Sequence, residues 1–381
     1  MPELIALDIH GGAQFLDSLN RIWDRGDAVM PLDLSGPDSH VESVLAAMAP
    51  SAVIDSAGER HERVGGLPVE EGDACVITTS GTTGTPKGVI HTHDAIRSAG
   101  RITSAATRPG EADTWLACLP LSHVGGFSVV GRALVSGAGL IIHDGFDAEA
   151  TDAAGRSGAT HVSLVPAVLH RIDPEPWTTI LLGGSSIPAN RPSNSIATYG
   201  MTETFGGVVY DGVKLGDVEL RIAAGGMIEI LSPTLLRAYR TADDPAGISP
   251  LGPDGWYRTG DLGQIDETTG VLIVGGRADD LIITGGEKVW PGPVEDVILL
   301  DPRVSECMIT SRPDPEWGER VIALVVPSDP QRPPQLEDIR WLVRERLPVA
   351  AAPKELKIVD SLQRTALGKL RRGDTLGGVD D

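Results

Sequence analysis

The sequence predicts an α/β protein that is built on parallel sheets and divided into two domains. Short apolar runs typical of buried strands alternate along the chain with stretches of helical spacing, which is the pattern of strand–helix–strand units. The chain has 381 residues, of which 41% are hydrophobic, so it can bury a sizeable core and exceeds an ordinary single domain.

The first part of the chain supplies most of the predicted strands. They lie at residues 74–77, 114–118, 139–143, 161–165 and 179–182. A helix is predicted over residues 95–106, and another opens over residues 167–172, after Pro166 at a first-turn position. Residues 243–255 are rich in Pro, Gly and Asp and predict a loop ahead of a strand at Trp256.

A domain boundary is predicted near residues 275–280, which gives domains over residues 1–276 and 277–381. The smaller domain is predicted to contain a strand at residues 281–284, a helix from Pro293, a strand at 321–326, a helix at 335–347 and a terminal tail.

Composition excludes several classes of protein. The formal net charge is −21, which argues against nucleic acid or an anionic membrane as a partner. The three cysteines are widely spaced and include no C-x-x-C pair, so neither a disulfide framework nor a cysteine zinc site is expected. We find no export signal and no run of eighteen apolar residues, so a cytoplasmic protein without membrane insertion is expected.

Residues 78–88, with the sequence TTSGTTGTPKG, follow an apolar run and predict a phosphate-binding loop. Glycines let backbone N–H groups approach an anion, the hydroxyls add donors, and Lys87 supplies a positive charge. The position of Lys87 between Pro86 and Gly88 does not fit a Walker loop, and a plain surface linker is the remaining alternative. The run resembles the signature loop of the adenylate-forming superfamily, which includes acyl-CoA synthetases, luciferases and peptide-synthetase adenylation domains.

Further motifs follow in the order that the superfamily has them. The run 199–204 (YGMTET) resembles its adenine and magnesium motif, in which Glu203 would hold Mg²⁺ and Thr202 would contact the α-phosphate. The resemblance assigns ATP binding to Thr79, Ser80, Gly81, Thr82, Thr83, Gly84, Lys87, Gly183, Gly184, Ser185, Tyr199, Gly200, Met201, Thr202, Asp261, Arg277 and Lys369. In isolation, the 183–186 run is equally an ordinary turn.

The resemblance also implies how the two domains work together. Asp261, in the run 256–261 (WYRTGD), would bind the ribose hydroxyls, and Asp279 occupies the hinge position of a small mobile α+β domain. The loop formed by Gly285, Gly286, Glu287 and Lys288 resembles the one that borders the coenzyme A tunnel, although a simple hairpin would look the same. Lys369, in the run 364–370 (RTALGKL), would stabilise negative charge at the α-phosphate during adenylation.

The acyl substrate is less sharply indicated. The run 119–127 resembles the motif whose histidine lies beside the acyl group, which places Ser122, His123, Gly125, Gly126, Thr204 and Gly207 around the pocket. His123 is equally explained as a core histidine. The run 206–215 resembles the corresponding tract of short actinobacterial o-succinylbenzoate-CoA ligases of menaquinone biosynthesis. For a second substrate carboxylate, Ser122, His123, Thr204 and Lys214 are the candidates, and the sequence does not choose among them.

The implied activity is an ATP- and Mg²⁺-dependent carboxylate–CoA ligase that forms an acyl-adenylate, with Lys369, Glu203, Thr202 and His123 as its catalytic residues. Small-molecule acid, ATP and coenzyme A would be its partners, together with a possible homodimer. A ligase for another aryl or short-chain acid, a carrier-loading adenylation domain and a catalytically silent nucleotide sensor are the alternatives.

Overall fold

The computed structural model describes residues 1–80, 86–185, 187, 190–244 and 246–362. The chain forms two compact units, the first made of Met1–Leu220, Glu229–Arg258 and Glu267–Leu272. The second contains Arg221–Ile228, Thr259–Asp266 and the described residues from Ile273 onward. The boundary that the sequence suggests at residue 276 stays a prediction. Among the described residues, none of the helices has the length and apolar character needed to span a membrane.

The helices and strands of the first half of the chain are, in order, β1 (Leu4–Leu7), α1 (Ala13–Asp24), β2 (Ala28–Pro31), α2 (Asp38–Met48), β3 (Ala52–Ile54), β4 (Arg60–Glu62), β5 (Asp73–Ser80), β6 (Pro86–Thr92), α3 (His93–Thr107), β7 (Thr114–Ala117), α4 (Val124–Ser136), β8 (Gly139–Ile142), α5 (Ala148–Arg156), β9 (His161–Leu164), α6 (Pro166–Leu169) and β10 (Thr179–Leu182). Those of the second half are β11 (Ser195–Met201), β12 (Gly206–Tyr210), β13 (Val213–Lys214), β14 (Glu219–Ile222), β15 (Met227–Leu231), β16 (Ala238–Arg240), β17 (Tyr257–Ile265), β18 (Leu272–Arg277), β19 (Ile282–Thr284), β20 (Glu287–Val289), α7 (Pro291–Ile298), β21 (Val304–Asp314), β22 (Gly318–Pro327), α8 (Leu336–Arg344) and β23 (Glu355–Ile358).

The first unit contains two seven-stranded sheets. One has the order β16-β6-β5-β2-β1-β3-β4, with parallel pairing from β5 through β2 and β1 to β3 and antiparallel strands at its edges. Its core includes side chains of α2, among them Val44 and Met48. The other has the order β13-β12-β11-β10-β9-β7-β8 and is parallel from β8 to β11. The predicted α/β class with parallel sheets is therefore confirmed.

The parallel part of the second sheet positions most of the candidate site. Strands β7, β10 and β11 are parallel, so their carboxyl ends lie along one edge of the sheet. The runs 119–123, 183–185 and 202–204 follow these three strands directly. Open parallel sheets bind ligands at this edge, which is where the sequence places its nucleotide and acyl motifs.

The second unit is α+β. Its five-stranded sheet has the order β20-β19-β22-β21, with β23 added in parallel to β22, and its other pairings are antiparallel. Helices α7 and α8 bury Val294, Ile298, Ile339 and Val343 in its core. Strands β14, β15, β17 and β18 form a separate four-stranded sheet in that order.

The elements match most of the sequence-based expectations. All five predicted early strands exist, as β5 and β7 to β10, and the helix predicted over residues 95–106 is α3. Helix α3 begins at His93, and the hydroxyl of Thr92 caps it by accepting the N–H of Ala95. The helix expected over residues 167–172 is shorter, because α6 contains only four residues.

Candidate active site

The predicted phosphate-binding run begins at the end of β5 and finishes at the start of β6, two strands that pair antiparallel. Thr79 pairs with Lys87 across the two antiparallel strands, and the Thr79 hydroxyl donates to the Lys87 carbonyl at 3.3 Å. This pairing thereby fixes both ends of the run. Its predicted phosphate ligands Gly81, Thr82, Thr83 and Gly84 lie outside the described residues.

Lys87 and Glu203, which the sequence assigns to one ATP site, lie together in the first unit. The Lys87 ammonium lies 3.8 Å from Oε1 of Glu203 and 3.5 Å from the ring centroid of Tyr239. The Tyr239 hydroxyl donates to the same Glu203 oxygen at 2.7 Å and also shares a 2.9 Å hydrogen bond with the Tyr257 hydroxyl. Burial and the Glu203 carboxylate raise the pKa of Tyr239, so the phenol keeps its proton.

Glu203 is held by a short 3₁₀ turn, Thr202–Thr204, between β11 and β12. The Thr204 hydroxyl donates to the Gly206 carbonyl at 2.6 Å and accepts the Met201 N–H at 2.9 Å. Its side chain is buried, so Thr204 stabilises the turn through the backbone. Nε2 of His91, on β6, lies 2.7 Å from the carbonyl oxygen of Thr202, the first residue of this turn.

Other predicted nucleotide positions of the first unit follow β10 or lie on β11. The run Gly183, Gly184 and Ser185 follows β10, and Gly184 has φ 88°, which favours glycine. Tyr199 and Gly200 lie on the neighbouring strand β11, where the register shifts between them. Gly200 faces the backbone of Gly206 so closely that a side chain there would collide with it.

His123 immediately precedes α4 and faces a carboxylate that the sequence did not indicate. Its Nε2 lies 3.7 Å from Oδ2 of Asp33, just beyond the end of β2. The contact with His123, together with hydrogen bonds from Ser35, holds the pKa of Asp33 well below its usual range. Asp33 and the neighbouring Ser122 also line a cavity of about 210 Å³.

The glycines after His123 have a packing role. A Cβ atom on Gly126 would collide with the carbonyl oxygens of Leu119 and Pro120, whereas one on Gly125 would lie 3.3 Å from the Leu119 side chain. Gly126 therefore lets the first turn of α4 pack directly against the preceding loop. The predicted function of these glycines, room for a flat acyl group, stays a prediction.

Arg132, on the same helix as these glycines, is a buried cation that sequence reasoning missed. Its side chain is only 6% exposed, Nη1 donates to the Ser163 hydroxyl at 2.7 Å, and the guanidinium lies 5.5 Å from the Trp115 ring centroid. Burial lowers its pKa. No carboxylate of the described residues pairs with it. An arginine within the otherwise apolar stretch of α4 is the sequence signal that could have found it.

The guanidinium of Arg132 lies close to Gly206. A Cβ atom on Gly206 would lie 3.2 Å from Nη2 of Arg132. Gly206 adjoins Gly207, a predicted pocket residue. Another candidate, Lys214, lies on the exposed edge strand β13 and donates to the Val218 carbonyl at 2.8 Å. Of these two cations, Arg132 is buried and Lys214 is exposed.

In the second unit, Asp261 and Arg277 come together as the sequence suggests. Nη1 of Arg277 lies 3.4 Å from Oδ1 of Asp261 and donates to the Thr259 carbonyl at 3.0 Å. Gly260, between Thr259 and Asp261 in the sequence, has φ 76°, and the Arg277 guanidinium lies against it. Asp279 follows in a 3₁₀ turn, 3.9 Å from Arg277.

The predicted coenzyme A loop is a tight hairpin turn in this unit. Gly285 and Gly286 join β19 to β20 with φ of 60° and 81°, a conformation that requires glycine at both positions. The Gly285 N–H donates to the Trp317 carbonyl at 2.8 Å, and the ammonium of Lys354 lies 4.3 Å from the Trp317 ring centroid. Glu287 and Lys288 begin β20, while Lys369 lies outside the described residues.

Comparison with known proteins identifies related sequences along nearly the whole chain. A family model described as AMP-binding enzyme matches residues 36–228, and one described as AMP-binding enzyme C-terminal domain matches residues 293–369. The chain is 38% identical to a probable 2-succinylbenzoate–CoA ligase of Mycobacterium tuberculosis, over 94% of both proteins. It is 31% identical to the 2-succinylbenzoate–CoA ligase of Listeria monocytogenes, over 78% of this chain and 68% of that one.

Solved structures of the same fold extend this similarity. The o-succinylbenzoate CoA synthetase of Bacillus subtilis, in complex with its acyl-adenylate intermediate, superposes with a TM-score of 0.79 at 25% identity, covering 100% of this chain and 88% of that one. ATP-bound MatB of Rhodopseudomonas palustris superposes with a TM-score of 0.83 at 22% identity, over 97% and 87% of the two chains.

Proposed function

This chain belongs to the AMP-binding enzyme family, and we propose that it is an ATP-dependent ligase that joins 2-succinylbenzoate to coenzyme A through an acyl-adenylate. The relatives named above support the substrate, which would place the reaction in menaquinone biosynthesis.

The observation that supports a dicarboxylate substrate is the buried guanidinium of Arg132, with which no carboxylate of the described residues pairs. 2-Succinylbenzoate has two carboxylates, of which one is activated. The other loses its hydration when the substrate binds, and a cation of the protein is needed to offset that cost. A buried charge without a counter-ion is costly, so Arg132 favours a ligand that brings an anion to it. The Ser163 hydroxyl and the Trp115 ring fix the guanidinium in place before the substrate binds.

Glu203 is suited to hold the Mg²⁺ of ATP. The Tyr239 hydrogen bond falls on Oε1, the oxygen that also lies nearest to Lys87, and no described residue makes a hydrogen bond to Oε2. A single carboxylate oxygen is enough for a cation that keeps several waters and binds the substrate phosphates. When bound, Mg²⁺ would neutralise charge on the phosphate oxygens.

The proposed first half-reaction is attack of the substrate carboxylate on the α-phosphorus of ATP, which breaks the bond to the β-phosphate and releases pyrophosphate. The Thr202 hydroxyl and the Lys369 ammonium would donate to the oxygens on which negative charge accumulates. Removing one such donor typically costs roughly 2.7–4 kcal/mol of transition-state stabilisation.

In the second half-reaction the coenzyme A thiolate attacks the acyl carbon and AMP leaves. We propose that rotation about Asp279 exchanges Lys369 for the Gly285–Gly286 turn between the two steps. His123, paired with Asp33, would border the acyl group in both steps.

The proposed function is tested by pyrophosphate release with ATP, Mg²⁺ and matched acids, with and without coenzyme A. The informative acids are 2-succinylbenzoate and its two mono-acid analogues, 4-oxo-4-phenylbutanoate and 2-butyrylbenzoate. Each analogue lacks one of the two carboxylates, so the analogue that still reacts identifies the carboxylate that is activated. We expect a strong preference for 2-succinylbenzoate and a thioester product that requires coenzyme A. Arg132→Met should abolish most of that preference by raising the KM for 2-succinylbenzoate roughly a hundredfold, with the KM for ATP unchanged.

Two controls separate the alternatives. Arg132→Lys retains the charge without the planar fork and should keep part of the preference. The chain is also 33% identical to an indoleacetate–CoA ligase of Aromatoleum aromaticum, so indoleacetate belongs in the panel. Turnover of indoleacetate in place of 2-succinylbenzoate would keep the chemistry and reject the substrate, whereas ATP binding without pyrophosphate release would reject the ligase.

A further inference from the structure

The hydroxyl of Tyr239 is the closest described polar contact of the Glu203 carboxylate. Tyr239 lies on β16, an edge strand that pairs with β6, the strand that carries Lys87. Its backbone is fixed on both sides, because Tyr239 pairs with Val89 and exchanges two hydrogen bonds with Ile248 at 2.9 and 3.0 Å. The position of its hydroxyl is therefore set by the sheet.

The direction of the hydrogen bonds follows from the chemistry of the groups. A carboxylate only accepts, so the single phenolic hydrogen of Tyr239 is donated to Oε1 of Glu203. The Tyr257 hydroxyl must then be the donor in its 2.9 Å contact with Tyr239. The Tyr257 hydroxyl thus donates to Tyr239, and Tyr239 donates to Oε1 of Glu203. Oε2 of the carboxylate receives no hydrogen bond from either tyrosine.

The ring of Tyr239 also contacts the cation nearest to Glu203, the Lys87 ammonium. It holds the Lys87 ammonium on its face, 3.5 Å from the centroid. At 3.8 Å from Oε1, the ammonium is too far from the carboxylate for a direct hydrogen bond. The Glu203 carboxylate thus lies near the Lys87 ammonium without a direct hydrogen bond to it.

We propose that Tyr239 is a positioning residue that orients Glu203 so that its second carboxylate oxygen receives the divalent cation of bound ATP. The inference rests on the proposed function, because it concerns the ATP half of that site. Groups that orient a metal ligand typically change metal affinity ten- to a hundredfold when they are removed.

The test measures divalent cation binding without any acyl substrate. Mn²⁺ serves as the probe, and the electron paramagnetic resonance signal of free Mn²⁺ reports its binding to the protein saturated with ATP. Tyr239→Phe keeps the ring under Lys87 and removes only the hydroxyl, so we expect the Kd of Mn²⁺ to rise about tenfold or more. Tyr210→Phe is the matched control, since it removes another buried hydroxyl, one that contacts Thr103, and should leave the Kd within twofold.

A double-mutant cycle decides whether Tyr239 acts through Glu203. In a Glu203→Gln background, Tyr239→Phe should produce no further loss of Mn²⁺ affinity. An equal loss in both backgrounds, or a Kd for Tyr239→Phe that matches that of Tyr210→Phe, would overturn the proposal. So would weaker binding of ATP by Tyr239→Phe in the presence of a chelator, where no metal is bound.

Failure of the proposed function has a different signature. The wild-type protein would then bind Mn²⁺ and ATP but release no pyrophosphate with any acid, while the order of Mn²⁺ affinities among the variants would still report on Tyr239. Urea unfolding curves of all variants serve as the control that each substitution leaves the overall stability of the protein unchanged.

Discussion

Nε2 of His91 lies 2.7 Å from the carbonyl oxygen of Thr202, so a fully buried imidazole on β6 supports the turn that presents Glu203. Because a carbonyl only accepts, Nε2 must carry the hydrogen of a neutral ring. Nδ1 is buried without a partner in the described structure, and the ring packs edge-on against Phe205 with centroids 5.0 Å apart. Burial lowers the pKa of His91 to about 4.

This depressed pKa predicts a pH-dependent stability. The unfolded chain protonates His91 near its ordinary pKa of about 6.5, whereas the folded chain does so near pH 4, so the unfolded state binds more protons between these values. The contribution of His91 to stability is complete above pH 6.5 and is lost as the pH falls toward 4. Between pH 7.5 and 5 it should decrease by about 2 kcal/mol.

Urea unfolding at a series of pH values measures this effect when the wild type is compared with His91→Gln, which keeps a neutral donor but does not titrate. The wild type should lose more stability than the variant on going from pH 7.5 to 5. His161, whose pKa burial also lowers, is present in both proteins and cancels in the difference. Parallel curves for the two proteins would contradict the role of His91.

A second buried cation, Arg240, stabilises the chain around the first sheet. Its guanidinium donates to four carbonyl oxygens, at 2.7 to 3.2 Å, which belong to Met48, Ala49, Leu67 and Pro68. Two of these carbonyls end α2 and two belong to the segment before β5. The arginine thereby joins the end of α2 to the segment before β5, and of its four acceptors the Ala49 carbonyl also accepts the Leu67 N–H.

Arg240→Met should therefore lower the free energy of unfolding by roughly 3 kcal/mol, because the buried Met48 carbonyl loses its donor and the hydrogen bonds that join the two segments through Arg240 are lost. Arg240→Lys should recover only part of this loss, since an ammonium cannot reproduce the planar fork. Urea unfolding gives the free energies. Arg108→Met removes a charge at the end of α3 and should change stability by less than about 0.5 kcal/mol, and an equally small change for Arg240→Met would refute the argument.

The strands of the second sheet could be predicted because their signal is local. Strands β7 and β10 are short, mostly apolar runs between turn residues, and burial on both faces of a parallel sheet produces that pattern. Helix α6 ends earlier than its pattern suggests, because the N–H groups of Arg171 and Ile172 donate to carbonyls three positions back and the next N–H, that of Asp173, donates to the Asp152 carboxylate. Strands β1 to β4, which precede the first motif, were not predicted.

The candidate site could be predicted only where its residues lie within motifs. Lys87 and Glu203 belong to motifs whose composition indicates phosphate and metal binding, and the fold brings them together. Asp33, Arg132 and Tyr239 lie on β2, α4 and β16 or next to them, far from those motifs in sequence. An arginine in an apolar helical stretch does indicate a buried charge. Which groups these three side chains meet depends on the pairing of strands and the packing of helices, and one-dimensional patterns do not contain that information.

The turn at Gly285 and Gly286 offers a separate test of the second half-reaction. Gly285 has φ 60°, and a Cβ atom added there would lie 3.1 Å from the ring of Trp317. Gly285→Ala therefore combines backbone strain with a side-chain contact, and it should displace the turn that we assign to the coenzyme A step. Strain of this kind costs about 1–3 kcal/mol, so we expect thioester formation to slow about tenfold while pyrophosphate release without coenzyme A stays within twofold.

Single-turnover measurements of acyl-adenylate and of thioester separate these two steps. Gly270→Ala is the matched control, because Gly270 has φ 71° with open space around it, in a turn for which we propose no function. Gly286→Ala adds strain at φ 81° but meets no neighbouring atom, so its effect should fall between those of Gly270→Ala and Gly285→Ala. If Gly285→Ala slowed both steps equally, the turn would contribute to general stability, because a group used only in thioester formation cannot change the rate of adenylation.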